Sequence, residues 1–327
     1  MGIRKSLICI TATLLVSALI IVNQRANLLI YSMASNEFPE LSDAKNEGDE
    51  VRWFDDYYTV QEIDERTFAI GEPRYYQVNF NYLIVGNSKA VIFDAGTGQR
   101  DIRRVVESLT DLPITFVPSH LHYDHIGNEV VFQKTALVDL PHLRKRATDN
   151  KLPITRIEHL GEVEGYSLPA LKISEWLSPN ETIDLGDRFL LVLYTPGHTQ
   201  DSISLFDEEA GYLFSGDFLY PGNLYGFLPN SNMGDYLQGA QTIESVSENS
   251  LRVFGAHRDE FSGVPELGLE TVTQLRDALN AIRSGTLKSH GIYPVTYKVD
   301  ERVDLLSEPK WLQDWDPIYP ELNLKSN

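Results

Sequence analysis

The chain has 327 residues, of which 42% are hydrophobic, enough for one large domain or two modest ones around a sizeable core. Its formal net charge of −19 argues against a nucleic-acid partner, because phosphate binding needs clustered Lys and Arg. The single cysteine, Cys9, excludes an intrachain disulfide and leaves nitrogen and oxygen atoms as the ligands for any metal.

The N-terminal segment is apolar and follows a positive flank. Arg4 and Lys5 precede a run from Leu7 to Val22 that is slightly short for a comfortable membrane span. We predict that residues 1–34 are a signal peptide, cut after Ala34, or an uncleaved membrane anchor. A buried helix is the third possibility, although it would need a partner to cover its apolar sides. A signal peptide predicts an exported protein, and an anchor predicts a protein attached to the membrane only through this segment. In both cases the rest of the chain lies outside the cytoplasm.

The rest of the chain divides at about residue 56. Residues 35–56 are polar and acidic, and they predict a linker or a surface arm. Residues 57–327 are predicted to form one folded domain, which begins with short apolar runs typical of strands. The runs at residues 82–85 and 90–93 flank a Gly-Asn-Ser turn and predict a hairpin.

A helix and a buried strand follow this hairpin. Ile102, Val105, Val106 and Leu109 recur at helical spacing, and residues 114–118 form a short apolar strand. Later segments comprise an insertion with one helix at 139–175, strands at 189–194, 202–206, 212–214 and 252–254, and amphipathic helices at 237–246 and 269–282. This order predicts an α/β fold in which two β/α halves contribute residues to one shared edge.

Four possible metal ligands lie close together after the strand at residues 114–118. They are His120, His122, Asp124 and His125, in the run from Ser119 to Gly127. Packing does not require three imidazoles and one carboxylate within six residues, whereas two divalent cations do. The spacing lets His120 and His122 chelate one ion, with Asp124 and His125 on the other side of the turn.

Further candidates lie later in the chain. His198 and His257 each follow a glycine-bearing turn after an apolar run, and Asp217 follows Ser-Gly. One tetrahedral metal cannot use all of these groups, but two ions about 3.5–4 Å apart can. Asp217 is the natural bridge, because one carboxylate offers two oxygens. Asp94 ends another apolar strand and is predicted either to orient the ligands or to cap its own turn.

These motifs resemble those of the metallo-β-lactamase fold hydrolases, over roughly residues 58–300. The resemblance rests on His120-Leu-His122-Tyr-Asp124-His125, Thr195-Pro-Gly-His198-Thr, Gly216-Asp217 and His257. It implies a four-layer αββα sandwich behind the N-terminal hydrophobic segment. It also implies that His120, His122 and His198 bind one metal, that Asp124, His125 and His257 bind a second, and that Asp217 bridges them. Zinc is the default metal, and iron or manganese occupies some members.

A dinuclear centre predicts hydrolysis. Water shared by two cations loses its proton near neutral pH and becomes the nucleophile, and the metals hold the oxyanion that develops on the substrate. Asp124 is a catalytic candidate because it would also orient the hydroxide. This chemistry suits an ester, a thioester, a lactone or an amide of a small-molecule substrate.

The residues around Asp217 favour an acyl-bearing substrate. The stretch from Leu213 to Leu224 resembles the metallo-β-lactamase domain-containing protein 2 type, which is associated with acyl-coenzyme A thioester hydrolysis. Quorum-quenching lactonases also place a tyrosine three residues after the bridging Asp. Tyr220 is therefore either a hydrogen-bond donor to the substrate or a packed aromatic. Residues predicted to wall an apolar channel are Tyr75, Tyr76, Phe80, Leu219, Leu224, Tyr225 and Phe227.

Other functions stay open. A lactonase suits an exported enzyme, whereas coenzyme A is cytoplasmic. A β-lactamase suits the ligands less well, because enzymes of that kind usually lack the carboxylate that Asp217 supplies. A metal-stabilised binding scaffold is the alternative outside enzymes, but a scaffold has no need of a site that leaves room for water.

Overall fold

The computed structural model describes residues 13, 16–17, 19–35, 37–247, 250–259 and 262–322. Its α-helices are α1 (Arg25–Met33), α2 (Arg103–Leu109), α3 (Tyr123–Ile126), α4 (Pro141–Arg146), α5 (Arg156–His159), α6 (Met233–Val246) and α7 (Leu269–Ser284). Short 3-10 helices cover Glu129–Val131, Gly161–Glu164 and Pro320–Leu322. Its strands are β1 (Val51–Trp53), β2 (Thr59–Asp64), β3 (Thr67–Glu72), β4 (Asn79–Val85), β5 (Ala90–Phe93), β6 (Ile114–Val117), β7 (Ala136–Val138), β8 (Lys151–Pro153), β9 (Ala170–Lys172), β10 (Glu175–Leu177), β11 (Thr182–Asp184), β12 (Phe189–Tyr194), β13 (Ile203–Asp207), β14 (Tyr212–Gly216), β15 (Gly222–Gly226), β16 (Arg252–Gly255), β17 (Glu266–Gly268), β18 (Val295–Lys298) and β19 (Val303–Ser307).

Two six-stranded sheets form the centre of the molecule. The first has the order β1-β2-β3-β4-β5-β6 and is antiparallel except for the parallel pair β5 and β6. The second has the order β11-β12-β13-β14-β16-β17, in which β14 and β16 are parallel. The predicted hairpin is the antiparallel pair β4 and β5. Strand β1 lies within residues 35–56, so part of the range predicted as a linker belongs to the first sheet.

Alternating side chains place the second sheet between the first sheet and the helices α6 and α7. In β12, Val192 and Tyr194 belong to the core that also contains residues of β4, β5 and α2, whereas Leu193 belongs to the core around α6 and α7. Phe214 and Leu213 of β14 divide between the same two cores, as the two-residue period of a strand requires. The layers are therefore helix, sheet, sheet and helix, which confirms the predicted αββα sandwich.

The insertion at residues 139–175 differs from the prediction of one helix. It contains α4 and α5, the strand pair β8 and β9, and the 3-10 helix that ends at Glu164. The hydroxyls of Tyr75, Tyr76 and Tyr123 all donate to the carboxylate of Glu164, which holds the insertion against the body. The single-helix prediction was wrong because helices of four and six residues are too short to leave a helical period in the sequence.

The N-terminal segment contributes a helix that packs on the body. Most of the apolar run from Leu7 to Val22 lies outside the described residues. Within the part of the chain that is described, no helix is both long and apolar enough to cross a membrane. Residue Ile30 of α1 is 1% exposed and packs in a cluster with Tyr123 and Leu160. The signal peptide or anchor at residues 1–34 stays a prediction.

Candidate metal centre

The predicted ligands follow the carboxyl ends of strands. His120 and His122 come after β6, His198 after β12, Asp217 after β14 and His257 after β16. Strands β12 and β14 are both antiparallel to β13, and β16 is parallel to β14, so these three strands end at one edge of the second sheet. The loops that leave this edge meet the loop after β6 of the first sheet.

The first group of predicted ligands contains three histidines and one aspartate: His120, His122, His198 and Asp217. Their candidate ligand atoms all lie within 4.8 Å of one another, and all four residues are buried. His120 Nε2 lies 2.9 Å from His122 Nδ1, and His198 Nε2 lies 3.1 Å from the same atom. Three imidazole nitrogens therefore converge on one small volume.

The second group contains Asp124, His125 and His257, whose candidate ligand atoms also lie within 4.8 Å of one another. Asp124 Oδ2 lies 3.6 Å from His125 Nε2 and 3.5 Å from His257 Nε2. All three residues are buried. The structure thus brings together Asp124 and His257, which are 133 positions apart in the chain.

Asp217 lies between the two groups. Its Oδ1 lies 3.2 Å from His125 Nε2 and 3.1 Å from His257 Nε2. Its Oδ2 lies 3.4 Å from His198 Nε2 and 3.9 Å from His120 Nε2. One carboxylate therefore presents one oxygen to each group, which is the arrangement expected of a bridging ligand.

Hydrogen bonds at the outer ring nitrogens fix which nitrogen of a histidine is free to bind a metal. His198 Nδ1 donates to the carbonyl oxygen of Tyr225 at 3.0 Å, and His257 Nδ1 donates to that of Gln77 at 3.2 Å. Because Nδ1 carries the proton, Nε2 of each neutral ring presents a lone pair to its group. Lone pairs that face one another and nearby carboxylates repel, and a cation between them removes the repulsion. The residues therefore fit divalent metal ions.

Asp94 supports both the ligands and the loop that carries them. Its Oδ2 lies 2.9 Å from His125 Nδ1, and its Oδ1 accepts the backbone N–H of Ser119 at 2.7 Å. One carboxylate thereby orients the His125 ring and holds the residue before His120. This contact places Asp94 as an orienting partner of the predicted ligands.

Burial acts to lower the pKa of the histidines in both groups, but the nearby charges differ between the groups. Burial and the neighbouring imidazoles hold the pKa of His120 and of His122 well below the usual value. Burial also acts to lower the pKa of His125, but the carboxylates of Asp217 and Asp94 outweigh it and raise that pKa well above the usual value. His120 and His122 are therefore neutral, whereas the carboxylates around His125 attract a proton or a metal ion.

Tyr220 is buried beside the second group. It lines the same cavity as the predicted ligands, and its ring centroid lies 5.3 Å from that of His257. Its hydroxyl donates to the carbonyl oxygen of Asn223 at 2.5 Å. A catalytic role for Tyr220 therefore requires its hydroxyl to exchange this backbone partner for the substrate.

A cavity of about 400 Å³ opens beside both groups, and the predicted ligands in its lining are His122, Asp124, His198, Asp217 and His257. Of the residues predicted to wall a channel, Tyr76, Tyr225 and Phe227 line this cavity. The prediction was wrong for four others, Tyr75, Phe80, Leu219 and Leu224, which are buried in the cores instead. Leu224 and Tyr225 are consecutive in β15, so their side chains point to opposite faces of the strand.

Sequence reasoning missed other residues of the site. Asn79 Nδ2 donates to the backbone oxygen of Asp124 at 3.0 Å and to its Oδ2 at 3.2 Å. Leu29, Ile30 and Met33 of α1 line the cavity. No local signal marks these positions, because Asn79 lies 45 residues before Asp124 and the α1 residues belong to a segment whose composition predicts export.

Comparisons with known proteins agree with this geometry. Residues 77–257, which include every predicted ligand, match the Metallo-beta-lactamase superfamily. Acyl-coenzyme A thioesterase MBLAC2 of Gallus gallus is 29% identical over 204 residues, which cover 54% of this chain and 74% of that protein. The protein of the same name from Homo sapiens is 27% identical over 235 residues, or 62% of this chain and 84% of the relative.

Solved structures share the fold. A metallo-beta-lactamase from Pontibacter korlensis superposes with a TM-score of 0.51 at 17% identity, over 68% of this chain and 99% of its own. A metallo-beta-lactamase from Erythrobacter litoralis also superposes with a TM-score of 0.51 at 16% identity, over 70% of this chain and 99% of its own. The family match spans more than half of the chain, and the clustered histidines and aspartates are suited to cations. The chain therefore belongs to the metallo-beta-lactamase superfamily and is a metal-dependent hydrolase.

Proposed function

We propose that this protein hydrolyses an acyl thioester and that a hydroxide shared by two divalent metal ions is the nucleophile. The observation that carries the proposal is the cavity beside both ligand groups, which is walled by aromatic and apolar side chains. An acyl chain can lie in such a cavity with its carbonyl near the ligands. The relatives named acyl-coenzyme A thioesterase, matched over 74% and 84% of their lengths, support a thioester as the bond that is cleaved.

In this proposal His120, His122 and His198 would hold one metal ion, Asp124, His125 and His257 would hold the other, and Asp217 would contribute to both. When bound, such ions supply a nucleophilic hydroxide and a Lewis acid that stabilises the developing oxyanion. Zinc is the metal that we propose, because it accepts nitrogen and oxygen ligands in flexible geometry.

The protein's own groups would position the reactants. Asp124, itself held by the amide of Asn79, would accept a hydrogen bond from the attacking water and orient it. Tyr220 would donate a hydrogen bond to the substrate carbonyl or to the leaving sulfur. A thiol has a pKa of about 8.5 and leaves readily as the thiolate, so the reaction does not need a strong general acid.

The location of the enzyme bears on the thiol part of the substrate. We propose that residues 1–34 place the body outside the cytoplasm, where coenzyme A is not the expected thiol. Testing thioesters of coenzyme A beside thioesters of small thiols separates recognition of the acyl chain from recognition of the nucleotide.

The proposal is tested by metal content and by turnover on acyl thioesters, lactones and a β-lactam. We expect two metal ions per chain, and a kcat/KM on acyl thioesters at least about tenfold higher than on the other substrates. If the protein cleaves lactones or the β-lactam but not thioesters, the proposed substrate class is wrong.

The variant His122→Ala tests whether the ligands serve catalysis. We expect it to lose bound metal and to lower kcat/KM by about 10²-fold or more, because it removes a ligand that also faces the cavity. His290→Ala is the matched control, since His290 is exposed and lies outside both groups. Two bound metals without turnover on any substrate would favour a binding scaffold.

A further inference from the structure

Helix α1 is tied to the body of the protein near both of its ends. At its first residue, the Arg25 guanidinium pairs with the carboxylate of Glu308, with 2.5 Å between Nε and Oε1. Just after its last turn, the backbone N–H of Ser35 donates to the carbonyl oxygen of Val163 at 2.9 Å. Between these contacts Ile30 is 1% exposed. These contacts hold the helix in one position on the body.

One face of α1 lines the cavity of the metal centre. Leu29, Ile30 and Met33 lie in its lining together with the predicted ligands. Positions 29 and 33 are four residues apart and positions 30 and 33 are three apart, so the three side chains share a face. Ile30 also packs with Tyr123, which stands between two predicted ligands in the chain. An apolar wall therefore lies close to the site of the proposed reaction.

Other apolar residues complete the cavity. Leu160 and Val163 of the insertion line it, as do Phe227, Leu228 and Pro229 of the loop after β15. Its volume of about 400 Å³ is within the range of about 300–1,000 Å³ that is usual for small-molecule sites. An apolar lining of this kind stabilises a hydrocarbon chain, because the chain and the walls are both removed from water.

We propose that α1 is the wall that receives the acyl chain of the substrate and thereby sets the preferred chain length, an inference that rests on the proposed thioesterase function. Residues 25–33 then belong to the active enzyme. A cut after Ala34 would remove Leu29, Ile30 and Met33 from the cavity. The proposal thus requires the retained form of the N-terminal segment.

The test uses the full chain and a series of thioesters from acetyl to palmitoyl. The cavity-facing variants Leu29→Trp and Met33→Trp place a larger side chain where the acyl chain would lie. We expect each to lower kcat/KM for palmitoyl thioester at least about tenfold, while acetyl thioester stays within about twofold of the wild type. Leu28→Trp and Tyr31→Trp are matched controls on the same helix. Leu28 is 47% exposed, close to the 52% of Met33, and Tyr31 is 76% exposed, but unlike Met33 neither lines the cavity.

Two further variants cover the case in which a tryptophan disturbs folding. Leu29→Ala and Met33→Ala remove contacts without adding volume, and we expect them to raise KM for the long chain with little change in kcat. Metal content and Tm, measured for every variant, show whether the metal centre and the fold are intact.

The outcomes separate this inference from the function on which it rests. If the wild type cleaves no thioester of any length, the proposed function fails. If the wild type cleaves thioesters but all cavity-facing variants keep its chain-length profile, α1 does not receive the acyl chain. The inference is also wrong if the chain-length profile shifts equally in the Leu28→Trp and Tyr31→Trp controls. The shift would then come from a disturbance of the whole helix and not from its cavity-facing side chains.

Discussion

At the scale of residues, hydrogen bonds at the outer ring nitrogens prepare the site. The rings of His198 and His257 are held by backbone carbonyl oxygens, and that of His125 is held by a carboxylate. Each contact fixes the proton on the outer nitrogen and turns the inner lone pair towards the cluster. Such partners are set by the fold, since Tyr225 and Gln77 contribute only their backbone oxygens.

Asp94→Asn tests the orienting role of this carboxylate. His125 Nδ1 and the Ser119 backbone N–H both require an acceptor, whereas an amide has only one acceptor oxygen. We expect the metal affinity, measured by competition with a chelator, to fall by about 10–100-fold. Asp64→Asn is the control, because Asp64 lies outside both ligand groups. Wild-type affinity in Asp94→Asn would refute the role.

Tyr220→Phe tests the catalytic hydroxyl. We expect kcat to fall at least about tenfold with unchanged metal content, because a hydrogen bond to the substrate is lost. Tyr58→Phe is the matched control: its hydroxyl also donates to a backbone carbonyl, that of Arg100 at 2.7 Å, but Tyr58 does not line the cavity. The unfolding free energy of the control is expected to fall by about 1 kcal/mol, whereas its kcat is expected to equal that of the wild type. Equal kcat in Tyr220→Phe and the wild type would leave Tyr220 as a packed aromatic.

At the scale of elements, the last residue of β14 lies against the loop after β6 of the other sheet. Gly216 has a φ of +53°, and a Cβ at this position would lie 2.6 Å from Ser119 Cβ in the loop after β6. A larger residue would therefore separate the turn that carries Asp217 from the loop that carries His120. The strand order places the end of β14 near the loop after β6, and the absence of a side chain at Gly216 allows the two to come into contact.

Gly216→Ala is expected to lower the unfolding free energy by about 1–3 kcal/mol and to weaken metal binding. Gly211→Ala shares the positive φ, at +69°, but its nearest neighbour would be 3.6 Å away. Gly211→Ala therefore measures backbone strain without crowding. We expect it to lower the unfolding free energy by about 1 kcal/mol and to leave the metal affinity unchanged. Urea unfolding and chelator competition measure both quantities. Equal metal affinity in the two variants would show that the contact with Ser119 has no part in the site.

At the scale of the whole molecule, the metal centre connects the two halves of the sandwich. The loop after β6 belongs to the first sheet, and the loops that carry His198, Asp217 and His257 belong to the second. Bound ions would therefore stabilise the packing of one sheet on the other as well as the site. Without a cation, buried carboxylates and imidazoles face one another, which costs stability.

Removal of the metal is expected to lower Tm by roughly 5–10 °C. A ligand at 100 times its Kd stabilises the folded state by about 2.7 kcal/mol, and about 2–4 °C corresponds to each kcal/mol in a domain of this size. Scanning calorimetry before and after chelation measures the shift, and added zinc should reverse it. The His122→Ala variant should respond less to chelation. A Tm unchanged by chelation would contradict a stabilising metal centre.

Sequence by itself determined the family, the sandwich and the chemistry of the centre. Histidine and aspartate residues after short apolar runs predict metal binding, and the strand order confirms the layers in which they lie. The assignment of each ligand to one ion still follows from the resemblance, although the geometry groups the residues in the same way.

Only the tertiary structure decided what surrounds the centre. Asn79, Leu29 and Met33 reach the site through contacts between distant segments, and nothing in their local sequence distinguishes them from ordinary strand and helix residues. The same holds for Leu224 and Tyr225, neighbours of similar hydrophobic character of which only the second lines the cavity. Metal ligands can be predicted from the sequence because metal ions bind particular atoms of particular residue types. A cavity wall needs only apolar side chains in the right place, and their position depends on how the chain packs.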